Sequence, residues 1–220
     1  LSDVVGSSVP MTSINSIYKG YFPCQNFLAD NGTDSTTGKT KWILDLANKA
    51  AAPGSDCPNS ISGMSGKIGF WIAKPATANK VVIYQHGITS NKDTFIAIAN
   101  TLASVGMATI AIDLWGHGER TYEDADADGT VENTLLTKFA DSGQLYLRPD
   151  NPTQTVYYTI QSQMDILRLA VLLQANPEMI NALGFTPTNS SIYYLGVSLG
   201  GIIGSNLAAT GTFPASKYLL

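Results

Sequence analysis

Apolar and polar residues follow no regular period through residues 1–62 and become strongly patterned from residue 63 onward. In the first part, ADNGTDSTTGKTK (29–41) is loop by composition. KWILDLANKA (41–50) has helical spacing through Trp42, Leu44, Leu46 and Ala47, and Pro53-Gly54 breaks it. In the second part, KIGFWIAKP reads as a strand ending at Pro75. KVVIYQ (80–85) and MATIAID (107–113) are short continuous apolar runs, the signature of strands buried on both faces. Between them, Phe95, Ile98, Leu102 and Val105 fall on one helical face, with Gly106 as the stop. A polar excursion runs from Leu114 to about Asn151. A long helix over 153–176 follows, with Val156, Ile160, Met164, Leu167 and Val171 along one side and Pro177 at its end. SSIYYLG reads as a strand, and LGGIIGSNLAA as a helix with Leu199, Ile203 and Leu207 inward. The final FPASKYLL reads as a link toward another strand.

This order of strand, helix, strand, excursion, helix, strand, helix predicts an α/β fold, a mostly parallel sheet with helices on both faces. The division expected is an irregular lead-in over 1–62 and a sheet-forming domain over 63–220, with a cap-like excursion at 114–151. Ligand sites in such sheets lie at the carboxyl ends of the strands. HGITSN, DLWGHGER and GVSLGG all begin there.

Composition narrows the partners. The 220 residues carry a net charge of −4 with no basic block, which argues against nucleic acid and against an electrostatically held membrane surface. No apolar run is long enough to span a bilayer. Cys24 and Cys57 are either two free thiols or one disulfide across a turn-rich stretch. Low charge and abundant Ser, Thr and Asn suit a secreted protein and favour the disulfide. A first residue Leu1 and the absence of a signal-peptide pattern read as a processed or truncated chain.

The chemistry centres on Gly196-Val197-Ser198-Leu199-Gly200, a G-x-S-x-G pattern between a strand and a helix. A serine in such a turn is a candidate nucleophile. Glycines on either side relieve crowding, and the helix amino terminus aims free N–H groups at the reacting oxygen. The plain alternative is a glycine-rich turn with a structural serine. His86-Gly87-Ile88 follows the first buried strand, and the backbone N–H groups of Ile88 and Leu199 are the candidate oxyanion donors. His86 then shapes its loop without transferring protons. Asp113 precedes the serine and is expected to fix the loop after it. His117 reads as a loop or pocket histidine in preference to a base.

Asp124, Asp126 and Asp128 alternate before Gly129, as in the first half of a calcium loop, but the twelfth position is Leu135. A complete EF-hand is excluded. A solvated acidic loop, or a partial Ca²⁺ site completed by Glu132 or by a distant carboxylate, remains. No other cofactor is implied. FADSGQLYL (139–147) is apolar enough for a cap or lid that touches substrate.

Together, His86-Gly87, DLWGHGER and GVSLGG resemble the α/β-hydrolase superfamily. YFPCQNFLAD, GKIGFWIAKP, the run from Val81 to Arg120 and YLGVSLGGIIG resemble, in finer detail, the extracellular virulence-factor lipases of Gram-negative bacteria. The fold match covers 63–220, and the finer one extends weakly to about residue 20. The resemblance implies ester hydrolysis through an acyl-enzyme on Ser198, by a lipase or lysophospholipase-like esterase. It implies a lipid or small-ester substrate, contact with a lipid surface, and Ile88 and Leu199 as oxyanion donors. It also implies an acid and a histidine after the serine, for which no position here matches. The chain is therefore expected to be the N-terminal part of a hydrolase, inactive alone, with downstream polypeptide supplying both. The rival expectation is a non-catalytic module of the same fold that binds a ligand in the same cleft.

Overall fold

The computed structural model describes residues 11–33, 35, 40–45, 57, 59–61, 63–121, 143 and 146–220. Among them run the strands β1 (Ser16–Pro23), β2 (Leu28–Thr33), β3 (Thr40–Leu44), β4 (Lys67–Lys74), β5 (Lys80–Gln85), β6 (Met107–Ile112), β7 (Ile192–Gly196) and β8 (Lys217–Leu219). The α-helices are α1 (Ile96–Ser104), α2 (Pro152–Ala175), α3 (Pro177–Leu183) and α4 (Leu199–Thr210). One sheet has the order β1-β4-β6-β5-β7-β8. β4 is antiparallel to both β1 and β6, whereas β6, β5, β7 and β8 run parallel.

The apolar runs are continuous because both faces of the sheet are covered. Ile68, Phe70 and Ile72 of β4, Val81 and Ile83 of β5, and Ala108, Ile110 and Ile112 of β6 meet α2, α3 and α4. The intervening Ala73, Tyr84 and Ala111 meet Phe95, Ile96 and Ala99 on the opposite face. The period-2 alternation of a strand thus serves two cores at once.

Both helix faces differ from expectation. On α1 the buried positions are Ile96, Ala99 and Ala103, and Val105 is 63% exposed. A helix that approaches Ala73 and Ala111 closely does so over its alanines, and Phe95 lies in a preceding 3₁₀ turn (Lys92–Phe95), which shifts the phase. On α2, Val156 and Val171 are exposed, and the buried face carries Gln154, Tyr158, Gln161, Ser162, Asp165, Ile166, Leu169, Ala170 and Leu173. The polar members face inward because partners await them. Gln161 accepts the Phe27 N–H at 2.7 Å and donates to the Gln25 carbonyl at 3.0 Å. Asp165 accepts from Arg120 at 2.7 Å.

The N-terminal segment is also more ordered than expected. β1 pairs along its whole length with β4, so the sheet extends into the lead-in assigned to 1–62. Residues 40–44 are a strand, not the start of a helix, and pair with β2, whose residues were expected to be loop. Trp42 and Leu44 point to the core while Ile43 between them is 38% exposed, the alternation of a half-buried strand. Trp42 meets Trp115 edge-on at 5.3 Å. Cys24 and Cys57 are disulfide-bonded, with Cα atoms 6.2 Å apart, and close the chain between β1 and β4. Among the described residues, no helix is long and apolar enough to cross a membrane.

Candidate active site

β5 and β7 are parallel neighbours, so the chain leaves both at the same sheet edge. From β7 it turns through Val197 and Ser198 directly into α4. Ser198 has φ 54° and ψ −114°, a region that a residue with a Cβ occupies only under strain of about 1–3 kcal/mol. The turn is tight enough to need Gly196 and Gly200. A Cβ on Gly196 would stand 2.4 Å from the Gly200 carbonyl oxygen, and one on Gly200 would stand 2.4 Å from that of Gln85. The turn is closed by Val197 N–H donating to Gln85 O at 3.0 Å and Gly200 N–H to Val197 O at 2.9 Å. Tyr194 OH donates to Gly200 O at 2.7 Å. Ser198 is exposed at the apex.

Gly87 packs against this apex, its Cβ direction only 3.1 Å from Ser198 Cβ, so the loop after β5 lies beside the serine. The next residue is Ile88. The backbone N–H groups of Ile88 and Leu199 find no acceptor among the described residues. Leu199 is the first residue of α4, where no intrahelical partner exists. Two unspent donors next to one strained, exposed hydroxyl can stabilise a negative oxygen.

The histidines do not complete this set. His86 accepts the Leu114 N–H on Nε2 at 3.1 Å, so its proton sits on Nδ1 and goes to Gly87 O at 2.8 Å. Burial pushes the ring down to about 4, against the attraction of Asp113. His117 directs Nδ1 to Trp115 O at 2.8 Å and is enclosed by His86, Tyr146 and Gly143. Burial and the neighbouring His86 push it down to about 3. Both rings are neutral at pH 7, and neither hydrogen-bonds Ser198.

Asp113 fixes the loop after β6, as expected. Its carboxylate accepts from the Lys92 backbone N–H at 2.7 Å, the Lys92 ammonium at 2.8 Å and the Glu119 N–H at 3.0 Å. Burial alone would raise its carboxyl, but the Lys92 charge outweighs this and holds it below the usual aspartate range. The burial of Lys92, Glu119, Arg120 and Asp165 had no signal in the sequence. Each reads as an ordinary surface charge until the fold brings an opposite one to it.

Asp124, Asp126, Asp128 and Glu132 lie outside the described residues, as does most of the excursion expected to form a cap. Gly143, Tyr146 and Leu147 are the described parts of FADSGQLYL; Tyr146 is buried against His117 and Tyr158, and Leu147 is exposed.

No protein-family model matches the sequence, and no curated protein matches it. Among solved structures, a lipase in its open form overlaps 69% of this chain at 23% identity and TM-score 0.43. A thermostable carboxyl esterase from Bacillus coagulans overlaps 73% at 15% identity and TM-score 0.44. A cold-adapted esterase from an Arctic intertidal metagenomic library overlaps 73% at 20% identity and TM-score 0.45. The chain spans 38% to 56% of the lengths of these three. Likeness of this degree carries no chemistry from one protein to another. The strand order, the helices on both faces and the strained serine turn between β7 and α4 make this chain's own architecture an α/β-hydrolase fold.

Proposed function

We propose that Ser198 is the nucleophile of a carboxylic-ester hydrolase. The observation that carries this reading is the strained, exposed serine beside two backbone N–H groups without acceptors. Ser198 Oγ adds to the ester carbonyl and passes its proton to a base. The Ile88 and Leu199 amides hold the resulting oxyanion. The alcohol leaves with a proton, and water then cleaves the acyl-enzyme to release the carboxylic acid.

A base is essential, since an unassisted serine hydroxyl is a weak nucleophile at neutral pH. Both histidines of this sequence are buried, neutral and committed to backbone groups. On this reading the base, and the acid that orients it, are supplied by polypeptide outside this sequence. Exposed Val197 and Ile202 flank Ser198 and favour an acyl substrate of the lipid type, as for a lipase or lysophospholipase. The disulfide favours an oxidising, extracellular or cell-surface location.

The test is a fluorophosphonate probe applied to the longest natural form of the protein. Labelling of Ser198, with ester turnover lost in Ser198→Ala and the fold retained, is expected. Labelling of another serine, or undiminished turnover in Ser198→Ala, overturns the assignment.

A further inference from the structure

The loop bearing Ile88 is gripped at both ends by the loop that follows β6. At its start, His86 takes the Leu114 N–H at 3.1 Å. At its end, Lys92 gives Asp113 both its backbone N–H, at 2.7 Å, and its ammonium, at 2.8 Å. The same ammonium lies 3.0 Å from Glu119 Oε1, which also pairs with Lys19 of β1 at 2.8 Å. Glu119 in turn donates its N–H to Asp113. Lys92 is only 2% exposed. Between the two grips, Thr89 sits at φ 58° with its hydroxyl on the adjacent Ile88 carbonyl at 2.7 Å, and the Ser90 and Thr94 hydroxyls lie 3.2 Å apart.

A buried ammonium is costly, and an apolar side chain would fill the same space without desolvating a charge. The 3₁₀ turn has its own support, because Asn91 caps it through the Asp93 N–H and Phe95 anchors it in the core. What the ammonium adds is a fixed carboxylate. With Oδ2 held between Lys92 and the Glu119 amide, Oδ1 points at the Lys92 backbone and fixes where the loop returns.

We propose that Lys92 is a positioning residue for the Ile88 amide: through Asp113 and Glu119 it holds the oxyanion loop in register beside Ser198. The inference rests on the reading of Ser198 given above. An oxyanion donor acts only when placed on the developing charge, and a misplacement of about 1 Å costs on the order of 10²-fold in rate.

The test uses Lys92→Met in the longest natural form of the protein, the form in which Ser198 has its base. A second variant, Lys92→Met with Asp113→Asn, removes the stranded carboxylate charge should the first fail to fold. Two readouts are taken. Backbone ¹⁵N order parameters over residues 87–91 report the loop without reference to catalysis. Turnover of a nitrophenyl ester, divided by the fraction of Ser198 titrated by a fluorophosphonate, reports each competent site. Expected are order parameters falling from about 0.85 toward 0.6 over 87–91 but not in β5 or β7. Per-site kcat falls about 10²-fold with KM little changed. A purely structural role would lower the number of titratable sites and leave per-site kcat intact, and that outcome overturns the proposal. Unchanged order parameters in a folded variant also overturn it. Absence of labelling in the wild-type protein would instead overturn the Ser198 assignment, while the order parameters still decide whether Lys92 holds the loop.

Discussion

His86 Nε2 accepts the Leu114 amide proton at 3.1 Å, so protonating the ring means breaking a buried hydrogen bond as well as burying a charge. The two consequences reinforce each other, and they set how the fold responds to acid.

Stability should fall below neutrality. His86 and His117 have folded values of about 4 and about 3, against 6.5 when free. For a base with a depressed folded value, the unfolded chain binds more protons between the two values. Stability is then full above 6.5 and lost as pH drops, by about 1.4 kcal/mol per pH unit for each proton. Asp93 acts oppositely: burial, opposed by Lys92, lifts it from 3.8 to about 6. Its folded form therefore binds more protons than its unfolded form between those values, and this offsets about one histidine near pH 5. Urea titrations between pH 5 and 6 should show net uptake of about one proton on unfolding, rising toward about two at pH 5 in Asp93→Asn. A pH-independent midpoint over this range would contradict the placement of both histidines.

The serine turn offers a test that needs no substrate. At φ 54° Ser198 is strained, and glycine adopts this region without penalty. Ser198→Gly should raise the unfolding free energy by about 1 kcal/mol, whereas Ser198→Ala, which keeps the Cβ, should leave it within about 0.5 kcal/mol. Denaturant melts of the two variants distinguish them. Equal stabilities would mean that the turn is relaxed in solution.

Removing the disulfide should be expensive. Cys24 and Cys57 are 33 residues apart, and closing a loop of that length stabilises by about 3–4 kcal/mol in the chain-entropy model. Both residues are also fully buried, so replacement by serine would leave hydroxyls to be satisfied. The paired variant Cys24→Ala, Cys57→Ala isolates the covalent contribution. A midpoint unchanged by reduction of the wild type would show that the bond adds nothing to stability.

The sequence made legible those elements whose burial is uniform. β5 and β6 are covered on both faces, so their centres are apolar apart from the buried Thr109, with the buried Gln85 at the end of β5, and the runs could hardly be missed. The turn at Ser198 was legible because its geometry admits few residues at 196 and 200. The faces of α1 and α2 were not. Hydropathy assigns Val156 inward and Gln161 outward, and it cannot register that a backbone amide at Phe27 waits for Gln161. β3 failed for a related reason, since Trp-Ile-Leu is too short a run to separate a period of 2 from one of 3.6. The ion cluster behind the Ile88 loop lay furthest out of reach, because its members are spread from Lys19 to Glu119 and meet only after β1, β4 and β6 have paired.

That cluster also bears on ionic strength. Lys92, Asp113 and Glu119 are each at most 5% exposed, and salt screens contacts through bulk solvent far more than contacts inside the protein. Lys19, with a side chain 36% exposed, and to a lesser degree Asp93, at 17%, reach the solvent where counterions gather. With Asp93, 3.8 Å from the Lys92 ammonium, the group has two positive and up to three negative charges, so most of its field cancels with distance. The loop beside Ser198 is thus held by charges that brine and dilute buffer leave alike, and a charged solute approaching the sheet edge would scarcely feel them.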